Sequence, residues 1–200
     1  MNTEPDMKKL IFASSNKGKI TEVKDIFNGS GFQIVSLPDL DNVPRIVEDG
    51  NTFRENAKKK AKIIFDKFKL PTIADDSGLM VEQLNGEPGV YSARYAGEGC
   101  TYEDNNRKLL NELSVFPHPH RAKFICYAVY MDDQKYLETI GEVNGSVINE
   151  IKGKQGFGYD PVFLPDGFES TMAELSLEEK NKISHRSKAF NQLKKLLIKE

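Results

Sequence analysis

The stretch from Thr52 to Gly78 constrains this chain more than any other. Thr52-Phe53-Arg54-Glu55 is a capping-box signature, and Phe53, Ala57, Ala61, Ile64, Phe65 and Phe68 then trace one helical face up to Pro71. The apolar run Leu70-Pro71-Thr72-Ile73-Ala74 reads as a buried strand, and it runs out into Asp75-Asp76-Ser77-Gly78. A carboxylate buried without a partner costs on the order of several kcal/mol, so two adjacent acids at a strand exit point to a cation or a reactive water. The competing reading is turn chemistry, with Gly78 supplying a positive φ and the aspartates capping their own backbone.

Composition narrows the class. A chain of 200 residues with 38% apolar and 29% charged content can bury roughly 70% of its unfolded surface in one domain, here expected as residues 1–200 with two lobes. No stretch approaches the ~20 apolar residues needed to span a bilayer, and Met1 to Lys9 lacks a signal-peptide pattern, so no membrane association and a cytoplasmic location are expected. Cys100 and Cys126 lack metal-type spacing, and Cys126 sits in an apolar run, which favours a buried free thiol. The formal net charge of -2 offers no global attraction to a nucleic acid polymer, so any anion site must be local.

Elsewhere the pattern alternates. Lys9 to Ala13 reads as a strand, Ser14 to Lys19 as a polar loop, and Ile20, Val23, Ile26 and Phe27 as a helical stripe beginning near Ile20. Gln33 to Leu37 is a second strand, followed by a loop through Pro44 to Gly50 that carries Glu48 and Asp49. Leu79 to Leu84 continues extended, Val90 to Ala96 is a short helical piece, and Tyr102 to Leu113 is a helix. Phe124 to Met131 and Tyr136 to Val143 form a hairpin across Asp132-Asp133-Gln134-Lys135, with Gly145 to Ile151 as a further strand. A strand around Val162 to Leu164 and helices from Ser176 and Ser184 complete the chain.

Four constellations carry chemistry. The Ser14 to Lys19 loop stands before a helix N-terminus, where free N–H groups, the helix dipole, Lys17 and Lys19 suit a phosphate; the absence of Gly at Ala13 and of Ser or Thr at Ile20 rules out a Walker A loop. An ordinary strand-helix connection is the alternative. Lys58, Lys59 and Lys62 read as a solvated face, whereas Asn56 and Lys60, one helical turn apart beside the apolar stripe, can project toward a cleft. Gly156-Phe157-Gly158-Tyr159-Asp160 joins permissive glycines, aromatic faces and a carboxylate, a composition suited to a planar base, or else to a tight bend. Ser184-His185-Arg186 places two basic groups in a first helical turn, against the dipole, which hints at function. No Gly-x-Ser-x-Gly elbow supports a serine hydrolase built on Ser77, and His118 and His120 make a poor metal site.

Together, Ser14 to Lys19, Glu48 to Ala57, Ala74 to Gly78, Pro88 to Arg94, Gly156 to Pro161 and Ser184 to Arg186 resemble the inosine triphosphate pyrophosphatase family, with motifs in family order from residue 9 to about 195. The resemblance implies an elongated, two-lobed α/β fold around a long mixed β-sheet flanked by helices, with the active site in the cleft between lobes, and a homodimer. It implies hydrolysis of dITP, ITP and XTP to monophosphate and pyrophosphate, with Mg²⁺ as cofactor. Carried over by position, Ser14, Ser15, Asn16, Lys17, Gly18, Lys19 and Lys60 would face the nucleotide, chiefly its phosphates. Glu48 and Asp76 would hold the metal, Asp76 would be the catalytic base, and Ser77 would lie beside it. Phe157, Gly158, Tyr159, Asp160, Lys180, His185 and Arg186 would form the nucleotide pocket. One departure stands out: Ser14-Ser15-Asn16 replaces the more usual Thr-Gly-Asn, placing a side chain where the backbone would otherwise be free.

The implied chemistry is attack of water on the α-phosphorus. Asp76 would either deprotonate that water or chiefly hold the metal. Two other readings fit less well: a similar enzyme for pyrimidine or modified triphosphates, and a nucleotide sensor without turnover, disfavoured by the retention of both Glu48 and Asp76.

Overall fold

The computed structural model describes residues 7–198. The reading of Met1 to Lys9 as lacking a signal pattern falls largely outside them. The elements in chain order are β1 (Lys8–Phe12), α1 (Lys17–Ile26), β2 (Phe32–Ser36), α2 (Phe53–Phe68), β3 (Thr72–Val81), α3 (Tyr102–Leu113), β4 (His120–Met131), β5 (Tyr136–Val147), β6 (Phe163–Pro165), α4 (Leu177–Ile183) and α5 (His185–Ile198). The strands form one mixed six-stranded sheet in the order β2-β1-β3-β4-β5-β6. β1 is parallel to β2, with Ile11 opposite Val35, and to β3, with Phe12 opposite Ile73. Parallel neighbours need crossover connections, and α1 and α2 provide them. β4 and β5 are joined by a four-residue turn in which the Asp132 N–H donates to the Lys135 carbonyl, and β5 is antiparallel to β6. Among the described residues no helix is long and apolar enough to cross a membrane.

The chain separates into two compact units. Among the described residues the first comprises 7–76, 127–140 and 186–198, and the second 77–126 and 141–185. In the first, Ile11 and Ala13 of the β1 end, Ala57, Ala61 and Ile64 of α2, Ala74 of β3 and Val129 of β4 form a sealed cluster. Small alanines on the inner face of α2 let its backbone approach the sheet closely. Phe190 of α5 meets Phe12 and Phe27 edge-to-face, with ring centroids 5.7 and 6.3 Å apart, a favourable aromatic geometry. In the second unit, Leu79 and Val81 pack with Leu109 and Leu113 of α3, Phe124, Val143, Tyr159 and Phe163.

The α2 and α3 stripes fall where helical spacing put them. Four sequence expectations need correction. β3 does not end at the acids: it continues through Asp75, Asp76, Ser77 and Gly78 to Val81, and Gly78 has no positive φ. The turn reading fails because the polar side chains find buried partners on both sides of the strand. Helix α1 begins at Lys17, three residues earlier than expected, because the Asn16 side chain accepts the Lys19 N–H and caps it. β5 is not broken near Asn144 but runs to Val147. Gly145 faces Pro165 on β6, and a Cβ there would lie 2.3 Å from the Leu164 carbonyl oxygen, so this glycine permits close pairing rather than interrupting the strand. β4 likewise starts at His120 rather than Phe124.

Candidate active site

In the first unit the acids of β3 are divided by the pleat. Successive strand residues point to opposite faces, so Asp75 and Asp76 meet different helices. Asp76 is buried beside α2, where Asn56 Nδ2 donates to its Oδ2 at 3.1 Å and Lys60 Nζ reaches its Oδ1 at 3.4 Å. Lys60 also binds Glu48 Oε2 at 2.8 Å, which brings the Pro44 to Gly50 connection to the acid. The Gly50 N–H donates to Asn56 Oδ1 at 2.8 Å, so the two faces of the Asn56 amide are fixed chemically, oxygen toward an N–H and nitrogen toward a carboxylate. Burial raises the pKa of Asp76 and Glu48 raises it further, while Lys60 and Lys19 pull it back only in part. Burial also opposes ionisation of Glu48, but Lys60 and Lys19, with a hydrogen bond to Asp76, together hold that group low. Lys60, penalised by burial, is kept charged by Asp76, Glu48 and Asp75.

Asp75 faces α1 and α5. Lys19 Nζ lies 3.0 Å from its Oδ2, and Arg186 Nε lies 3.3 Å away. Burial pushes its pKa up, but Lys19, Arg186 and Lys60 together hold it well below the ordinary carboxylate range. Arg186 is 2% exposed and also binds Glu22 Oε2 through Nη1 at 2.6 Å. Counted over this cluster, Glu22, Glu48, Asp75 and Asp76 oppose Lys19, Lys60 and Arg186, leaving one net negative charge. At the start of α1 the Ser14 hydroxyl accepts the Asn16 N–H at 3.2 Å. Asn16 takes the Lys19 N–H, which leaves the N–H groups of Lys17 and Gly18 for a ligand. Ser15 is exposed and outside the left-handed region, so its side chain is accommodated. Lys58, Lys59 and Lys62 sit on the outer side of α2, where Lys59 and Lys62 pair with Asp49 and Asp66.

The second unit holds the other predicted cluster. Gly156 and Gly158 have φ of +72° and +65°, and a Cβ on Gly156 would fall 2.2 Å from Asp160 Oδ2. That oxygen accepts the Phe157 N–H at 2.8 Å and Lys180 Nζ at 2.5 Å. The Lys180 ammonium lies 4.8 Å from the centre of the Phe157 ring, within cation–π range, and Tyr102 leans against the same ring at 6.1 Å. His185 stacks on Phe124 with centroids 4.7 Å apart and planes 10° from parallel. Ser77, half-buried on β3, opens this unit.

Lys60, Glu48 and Asp76 therefore come together, as do Phe157, Asp160 and Lys180. In the first unit Arg186 meets Glu22 and Asp75. Sequence reasoning missed Glu22 and Asn106, whose side chain donates to the Gly158 carbonyl at 2.9 Å. Both left a signal. Glu22 stands one turn before Ile26 and Asn106 three residues before Leu109, polar residues on otherwise apolar faces.

Among the described residues no cluster of three or more His, Cys, Asp or Glu is arranged for a metal. A divalent cation of the Mg²⁺ type usually takes only one or two protein carboxylates and fills its sphere with water and substrate phosphates. Glu48 and Asp76, sharing a single lysine in a cluster of net negative charge, fit that requirement.

The profile of the Ham1 family matches residues 10–196. A dITP/XTP pyrophosphatase of Caldanaerobacter subterraneus subsp. tengcongensis is 48% identical over 195 residues, covering 96% of this chain and 98% of the relative. Among solved structures, the Ham1 protein of Staphylococcus aureus superposes with a TM-score of 0.84 at 41% identity, covering 95% of this chain and 98% of that one. The HAM1 protein of Coxiella burnetii gives 0.88 at 37% identity, covering 97% and 100%. The order of motifs, the profile and the fold agree over nearly the whole length, and the chain belongs to the Ham1 family.

Proposed function

We propose that this protein hydrolyses non-canonical purine nucleoside triphosphates, dITP, ITP and XTP, to the monophosphate and pyrophosphate. Relatives of nearly equal length carry the name dITP/XTP pyrophosphatase, and the observation that carries the chemical assignment is Asp76. It is a buried carboxylate of raised proton affinity, steered by Asn56 and Lys60 and flanked by Glu48. Its Oδ2 takes Asn56 and its Oδ1 takes Lys60, and a side-chain hydrogen bond links it to Glu48. A raised pKa improves a carboxylate as a general base.

In this reading Ser14 to Lys19 and Lys60 serve the triphosphate, and Phe157 to Asp160 serve the base. The N–H groups of Lys17 and Gly18 at the start of α1, with Ser14, Ser15, Asn16 and Lys19, bind phosphate oxygens. Asp76 orients a water toward the α-phosphorus and accepts its proton; the α–β bridging oxygen leaves with the pyrophosphate. Lys60 moves from its carboxylate partners toward the developing negative charge. Mg²⁺ would be held by Glu48 and Asp76 and would neutralise charge on the leaving group. Phe157 offers a stacking face for the base. With Arg186 committed to Glu22 and Asp75, we assign donation to the 6-oxo group to His185, which would confront the 6-amino group of adenine with a second donor. Cytoplasmic location and a homodimer complete the proposal, the latter to be measured by light scattering.

The test is a panel of ITP, XTP, dITP, ATP, GTP and UTP with Mg²⁺, resolving pyrophosphate from orthophosphate. Pyrophosphate from ITP and XTP, with ATP and GTP nearly untouched, is the expected result. Orthophosphate, a pyrimidine preference or tight binding without turnover would overturn it. In folded protein, Asp76→Asn should lower kcat by at least ~10²-fold, the scale of a lost general base.

A further inference from the structure

We propose that Ser92 is a positioning residue for the nucleobase, bracing the Phe157-to-Asp160 loop against β3. The proposal rests on the reading of that loop as the base site. Ser92 lies in a short 3-10 turn, Gly89–Arg94, and is 9% exposed. Its hydroxyl accepts the Leu79 N–H at 3.0 Å and donates to the Gly89 carbonyl at 2.6 Å. Its own carbonyl accepts the Tyr159 hydroxyl at 3.0 Å. One residue thus ties a strand position three residues beyond Asp76 to the middle of the loop.

The direction of Tyr159 decides what it can do. Its ring is 3% exposed and packs in the core with Leu79, Tyr95 and Leu109, while its hydroxyl is spent on Ser92. Burial pushes the phenol pKa far up, so it remains a neutral donor. Tyr159 therefore anchors the loop from below, and Phe157, half-buried beside Lys180 and Tyr102, is the more exposed of the loop's two aromatic rings. The loop needs such an anchor. Two glycines at positive φ give its backbone conformations that other residues avoid, and that freedom would be lost on binding a base. Asn106 holds the Gly158 carbonyl from α3, and the Tyr159–Ser92 bond holds the next residue. An anchored loop spends its ordering entropy on folding rather than on binding. The brace should therefore act on nucleotide affinity and leave the chemistry at the α-phosphorus largely alone.

Tyr159→Phe keeps the ring and removes the hydroxyl. The expected result with ITP is a KM raised about fivefold, the scale of one ordinary hydrogen bond, with kcat reduced less than about twofold. Inhibition by inorganic pyrophosphate, which has no base, should keep its inhibition constant. Ser92→Ala should raise KM in the same way, and Ser92→Thr, which restores the hydroxyl, should recover most of the loss. In the double variant Ser92→Ala/Tyr159→Phe the effects on KM should fall short of the product of the single effects, because both cut one brace. An unchanged KM in folded Tyr159→Phe, equal weakening of pyrophosphate inhibition, or multiplicative effects in the double variant would overturn the proposal. If Ser92→Ala does not fold, Tyr159→Phe alone decides. Failure of the wild-type protein to hydrolyse ITP would instead overturn the proposed function.

Discussion

Adjacent residues of like charge differ most here. Asp75 and Asp76 share a backbone and a residue type, yet the pleat turns one toward Lys19 and Arg186 and the other toward Asn56 and Lys60. The first receives two short cationic contacts and is held ionised; the second receives an amide and a lysine that Glu48 shares, and its proton affinity rises. Asn56 holds Asp76 from α2, and Gly50 controls Asn56. A Cβ on Gly50 would lie 2.7 Å from Asn56 Oδ1 and 2.9 Å from Glu55 Cβ, so Gly50→Ala must push the amide off the acid. Asn56→Ala should lower kcat roughly tenfold, equivalent to one charge-assisted hydrogen bond. Gly50→Ala should lower it by a similar factor, and the double variant should be little worse than either, since both disrupt one contact. Steady-state kinetics on the three variants, with circular dichroism to verify folding, checks this. Multiplicative losses would show that Gly50 matters for another reason.

At the scale of elements, legibility followed the kind of signal. α2 and α3 were readable because apolar residues at helical spacing and Ser/Thr caps are local properties; Thr101 and Asp104 form the capping box that starts α3. β3 was half readable. Its apolar start was plain, but whether Asp75 and Asp76 end the strand depends on partners 16 to 111 residues away, Lys60 and Arg186 among them, and no local pattern carries that information. The same holds for the site: Glu48, Lys60 and Asp76 entered through their motifs, while Glu22, Asn106 and Ser92 act through long-range partners. Glycine misled at Gly78, which lies within β3 without a positive φ, and again at Gly145, where absence of a side chain marks close strand approach rather than a break. Gly145→Ala should drive a methyl into the Leu164 carbonyl and the Phe163 ring, at 2.3 and 2.7 Å. Overpacking of this kind costs about 1–3 kcal/mol. Thermal unfolding should show it as a lowered Tm, and hydrogen exchange should show lost protection along β6; an unchanged Tm would mean that β6 shifts freely.

For the whole molecule, the divergence of the two aspartates predicts opposite stability signatures. Asp75 has a folded pKa below its unfolded value of about 3.9. Its stabilisation is therefore fully present above that value and is lost as pH falls through it toward the folded pKa. Glu48, also lowered, adds to the same acid limb. Asp76 runs the other way. Its raised pKa means that the folded state binds its proton more tightly than the unfolded chain does, so its contribution favours folding at low pH and is lost as pH rises through the folded pKa. Carrying Asp76 ionised is then a cost to stability, consistent with a group retained for chemistry. Asp75→Asn removes the acid that balances Lys19 and shares Arg186 with Glu22. Breaking a buried pair costs roughly 3 kcal/mol, or about 10 °C in Tm for a chain of this size. Asp76→Asn, which mimics the protonated form, should leave Tm at pH 7 unchanged or higher while abolishing most turnover. Below pH ~4 the gap between wild type and Asp75→Asn should begin to narrow, because Asp75 of the unfolded chain takes up a proton while the folded group still resists it. Thermal unfolding of the three proteins from pH 3 to pH 8 tests the pattern. A Tm loss in Asp76→Asn at pH 7 as large as that in Asp75→Asn would show that both acids are structural, and would remove the physical basis for assigning catalysis to the second.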